Sequence, residues 1–227
     1  MLLVAGACLA VVPWLHPNNT CKDWLQKWGQ LAAHPMWLPI HQLAMAGFAL
    51  AAAAAVALAV SHRRSALGLF AGSALASGLA IQSMLVLLHA TVSSRLGQAF
   101  NAATTDADRQ MWRVAAEAVV GYDVGCSLVA AALLSAGAAL ISVQLVREGA
   151  LSPFAGLVFA GVGCIWGFQA LGVFGRLHVP TTEWIPYTSL ALWTAGLGLL
   201  LLARRRPTEQ TARGDARHYD KPLSQEP

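Results

Sequence analysis

Five long apolar stretches, at about residues 38–60, 66–93, 114–146, 153–175 and 185–203, constrain this chain more than any other feature. Four contain no Asp, Glu, Lys or Arg, and the third holds only Glu117 and Asp123. Each reaches roughly the 20 residues that a helix needs to cross the hydrocarbon core of a bilayer. A strand is excluded for such isolated segments, because lipid offers no partner to an open sheet edge. The stretches are rich in Ala, Gly and Leu, which lets membrane helices approach closely. A sixth apolar segment, Met1 to Leu15, is short and lacks the basic start of a secretory signal. It reads as a short first span, with the mismatch taken up by bilayer thinning.

The charge distribution leads to the same class. Of 15 Lys/Arg and 11 Asp/Glu, ten fall at or beyond Arg204. The first 203 residues are therefore far poorer in charge than the roughly 25% of a soluble domain. That composition excludes a soluble enzyme, a nucleic-acid binder and a disordered chain. The expected fold is an all-α, polytopic integral membrane helical bundle of about six transmembrane helices over residues 1–203. Residues 204–227 mix Pro, Gly and both charges without apolar periodicity, and are expected to form a disordered cytoplasmic tail.

Basic residues in short loops set the orientation. His62-Arg63-Arg64, Arg147 and Arg204-Arg205-Arg206 fall on one side if the spans alternate. That side is expected to be cytoplasmic, with both termini inside and the plasma (inner) membrane as the location. Trp14, Trp24, Trp28, Trp37, Trp112 and Trp184 collect in or beside the outer segments, as interfacial indoles do. Thr105 and Asp108 have the spacing of a helix cap, so the fourth span is expected to begin outside the membrane.

Histidine placement is the main functional signal. His16, His34, His41, His89 and His178 lie toward the outer side. His41 and His89 are each 24 residues from Ser65, where spans two and three turn. Equal arms of an antiparallel hairpin mean equal depth, so the two imidazoles share one level. One axial histidine from each of two facing helices is the arrangement of a bis-histidine haem b. The same pair, with His178, would supply a copper or zinc site, and an open position there could activate water. Gln82 lies on the His89 face, two turns deeper.

Asp123 and Glu117 are the candidate proton acceptors, Asp123 being the costlier placement within a span. Arg95 and Arg176 stand at the height expected of haem propionate partners, or of lipid phosphate ligands. No C-x-x-C-H motif supports covalently attached haem, and Cys8, Cys21, Cys126 and Cys164 form no disulfide framework. The leading expectation is a membrane haem-b electron-transfer subunit, working between quinone and an outer-side redox or enzyme subunit. A copper or zinc site and a non-catalytic anchor or assembly subunit are the alternatives. Besides these, the partner is the lipid bilayer, and no nucleic acid is expected.

Overall fold

A computed structural model describes residues 1–17, 23–170 and 184–218, and every regular element among them is helical. The helices are α1 (Leu2–Leu15), α2 (Trp24–Ala32), α3 (Trp37–Ser61) and α4 (Ala66–Leu88). A π-helical turn, His89–Ser93, leads directly into α5 (Ser94–Ala102). The remainder are α6 (Asp106–Arg147), α7 (Pro153–Ala170) and α8 (Trp184–His218). The backbone of α8 is helical to His218, past the boundary placed at residue 203.

Among the described residues, three helices are long and apolar enough to cross a membrane: α3, the continuous helix Ala66–Ala102, and α6. The chain is thus an all-helical protein of the membrane class. The apolar parts of the other three are shorter, at Leu2–Leu15, Pro153–Phe168 and Tyr187–Ala203. With 42 residues, α6 is about 63 Å long at 1.5 Å per residue, twice the hydrocarbon thickness. Thr105 caps it by accepting from the Asp108 amide, while its hydroxyl donates to the Asp108 carboxylate at 2.7 Å.

These six helices close into a ring. α1 packs on α3, α3 on α4, α4 on α6, α6 on α7, α7 on α8, and α8 returns to α1. Phe48, Leu9, Ile40, Leu134, Ile141, Leu145 and Leu197 fill the middle and are almost wholly buried. Small residues set the spacing: a Cβ at Gly72 would meet the Ala59 backbone, and one at Gly137 would meet Leu75. Val56, Val60, Phe70, Phe154 and Leu157 point outward and more than half exposed, as on a surface solvated by lipid.

The two ends of the ring differ. At the turn end, Ser65 caps α4 and donates to Gln144 at 3.1 Å, and His62 meets Glu148 at 3.2 Å. Gly149, at φ 68°, ends α6 there, in a conformation that favours glycine. The turns carrying Arg63, Arg64 and Arg147 are therefore neighbours.

At the opposite, cap end, the short amphipathic helices α2 and α5 cross. Gly29 and Gly97 meet there so closely that neither has room for a Cβ. Asn101 Nδ2 donates to the Gln26 carbonyl at 3.2 Å across this crossing. Asp23 caps α2, accepting from the Leu25 and Gln26 amides at 3.0 Å each, and its second oxygen binds Arg113 of α6 at 2.5 Å.

The Arg113 hydrogen bond, with help from the backbone amides, holds the Asp23 carboxyl below its ordinary 3.8. The stability contributed by this ion pair is therefore present above pH 3.8. It is lost as pH falls through the lower value of the folded state. Asp23→Asn keeps the helix cap and removes the charge. It is expected to lower the thermal midpoint of the detergent-solubilised protein at pH 7, with the two proteins converging at strongly acidic pH. A midpoint difference that stays constant with pH would show that the ion pair contributes nothing.

Candidate functional site

Beneath the α2–α5 crossing lies a cavity of about 450 Å³. His41 enters it from α3, His89 and Gln82 from α4, Asp123 and Ser127 from α6. His16 comes from the end of α1, Lys27 and Trp28 from α2, and Tyr187 from α8. Both His41 and His89 thus line one cavity.

Each imidazole is held by a different partner. His41 Nδ1 lies 2.7 Å from the Trp37 carbonyl, one turn back on α3. A carbonyl only accepts, so Nδ1 carries the proton and the neutral ring keeps Nε2 as its bare nitrogen. Fixing Nδ1 on a backbone carbonyl is the usual way a protein orients a ligand histidine. The ring of Trp37 packs on His41 with centroids 4.1 Å apart, and His16 approaches at 5.8 Å. His89 is oriented the other way: its Nε2 lies 3.1 Å from the Asp123 carboxylate. Its neutral ring therefore has Nδ1 as the bare nitrogen. Trp28 of α2 covers the His89 ring edge-on at 5.9 Å.

The two histidine helices are joined through one residue. Trp37 accepts from His41 through its carbonyl, and its indole Nε1 donates to Ser94 Oγ at 2.6 Å. Ser94 Oγ in turn lies 3.0 Å from the carbonyls of both His89 and Ala90. These bonds fall on the π-helical turn that starts at His89, and such turns recur at functional sites. The π turn carries the helix on into α5, and the single Ser94 hydroxyl proton is shared between the His89 and Ala90 carbonyls. Trp37 and Ser94 are both buried.

The other candidates separate clearly. Asp123 lines the cavity beside His89, whereas Glu117 is exposed and does not. The six-residue spacing turns Glu117 away, as the helical period requires. Arg95 is exposed on α5 and is not part of the lining, because the π turn rotates α5 relative to α4. Arg176 and His178 lie outside the described residues. Among the described residues, no three His, Cys, Asp or Glu side chains are grouped to hold a metal ion.

Sequence reasoning missed Lys27, Trp37 and Ser94 as site residues. For Lys27 and Trp28 the signal was present: Leu25, Trp28 and Leu31 have helical spacing behind the Asp23 cap, which marks a short amphipathic helix. For Ser94 no local pattern gives a role.

Fold and cavity together define a helical membrane protein with a histidine-lined chamber at its cap end. No family model matches the chain, and neither the curated proteins nor the solved structures contain a match.

Ser94→Ala leaves the buried Trp37 indole without an acceptor and is expected to cost about 1–3 kcal/mol. Trp37→Phe removes that donor, so the double variant is expected to lose less than the sum of the single losses. Chemical denaturation of the four proteins in detergent measures this. Strict additivity would show that the indole–hydroxyl bond does not join the two helices energetically.

Proposed function

We propose that this chain is a haem-b electron-transfer subunit of the plasma (inner) membrane, with the cap-end cavity as its haem site. In this reading the six ringed helices all cross the membrane, the 14-residue α1 by local thinning of the bilayer. The basic turns lie in the cytoplasm with both termini, and the cavity opens to the outer side. Quinone is the membrane partner, and an outer-side redox subunit docks over the cap.

One observation carries the reading: imidazoles from two adjacent helices line a single cavity. A bis-histidine haem needs only those two protein ligands, so it does not depend on a third grouped side chain. His41 would suit the role of an iron ligand as it stands, with Nδ1 anchored and Nε2 bare. His89 suits it once Nε2 leaves Asp123. Asp123, freed from that bond, would hold a proton at its carboxylate. Haem would supply a one-electron centre; the residues around it bind, orient and take up the accompanying proton.

The His89–Asp123 bond favours a second reading. A carboxylate behind an imidazole is the common support of a metal-bound histidine. A copper or zinc ion held by His41 and by Nδ1 of His89 would keep that bond intact, with His178 as the candidate third ligand.

Dithionite-reduced minus oxidised spectra of the detergent-purified full-length protein test both. The haem reading predicts a b-type α band that is lost in His41→Ala and in His89→Ala and kept in Asp123→Asn. A colourless wild-type protein contradicts it. One equivalent of copper or zinc in that colourless sample, lost in the histidine variants, would establish the second reading.

A further inference from the structure

Among the described residues, the cavity wall contains one permanent cation. Lys27, half-buried on α2, lines it, whereas Arg95 faces away from it. The carboxylates within reach are committed elsewhere. Asp23, one turn earlier on the same helix, binds Arg113, and Asp123 binds His89. Among the described residues no carboxylate forms an ion pair with Lys27. An ammonium on the cavity wall with no carboxylate paired to it would gain a charge-assisted hydrogen bond from an anionic ligand. Its neighbours in the wall are Trp28 and Leu31 from α2 and Trp37 from α3. These three offer flat or apolar surfaces against which an aromatic body can pack, beside polar groups such as Gln82 and Ser127 in the same wall.

We infer that the cavity is built for a flat ligand bearing a carboxylate, and that Lys27 binds that carboxylate at the cap-end edge. This rests on the haem reading, in which the propionates are the carboxylates concerned. It replaces Arg95 with Lys27 as their partner among the described residues. The lysine sits on α2, the helix that covers the cavity. A bound carboxylate would therefore also tie the cap to its ligand through a charge-assisted bond.

The test compares haemin with its dimethyl ester, which keeps the ring and iron but carries no propionate charge. Each is titrated into detergent-purified full-length protein prepared without haem. Wild type is expected to bind the diacid about ten-fold more tightly than the diester, the size of a charged hydrogen bond. Lys27→Ala is expected to lose that preference with its diester affinity unchanged, and Lys27→Arg to keep it. Equal binding of both forms by wild type, or an undiminished preference in Lys27→Ala, overturns the Lys27 assignment and leaves the haem reading standing. An equal fall for both forms in Lys27→Ala overturns it too, since Lys27 would then act through the fold of the cap. Binding of neither form by wild type overturns both readings.

Discussion

The register of the α3–α4 hairpin decides where every group of the cavity stands. Ser65 starts α4 one tight turn after α3 ends, and Gly72 lets the Ala59 backbone come close enough to lock the two helices side by side. From there both arms run the same distance to His41 and His89. Sliding one helix past the other by a single turn would separate the imidazoles in depth by about 5.4 Å. It would also pull Trp37 away from Ser94. The buried indole–hydroxyl bond is thus the far-end counterpart of the Ser65 turn, and the two together fix the register at both ends.

Around that hairpin the remaining helices serve distinct purposes. α6 brings Asp123 to His89 and extends well past any hydrocarbon layer, giving Arg113 a place to tie down Asp23. α2, crossed by α5, then covers the chamber. Its glycine contact allows two short helices to pack almost backbone to backbone, with little side-chain area available. Two polar attachments, Asp23 to Arg113 and Asn101 to Gln26, compensate for that small apolar contact.

Much of this was legible in the sequence, for identifiable reasons. Apolar runs report helices in lipid because length and composition alone decide them, and the Ser65 turn was readable from its basic, polar neighbours. Depth followed by counting residues. What could not be counted was rotation about the helix axes. The meeting of His89 with Asp123 spans 34 residues and depends on how α4 and α6 face each other, which spans so uniformly apolar do not encode. The same limit hid the exposure of Arg95: the apolar run 66–93 was expected to end near residue 93, yet the helix continues to Ala102 through a π turn. Among the described residues three helices are long and apolar enough to cross a membrane, and part of the fifth apolar run lies outside those residues.

Low-temperature electron paramagnetic resonance of the oxidised, full-length protein tests the central claim most directly, because it reports how many strong nitrogen ligands the iron has. Paired ligation by His41 and His89 predicts a low-spin ferric haem signal that becomes high-spin when either histidine is replaced by alanine. A low-spin signal indifferent to both substitutions, or no haem signal at all, would contradict it.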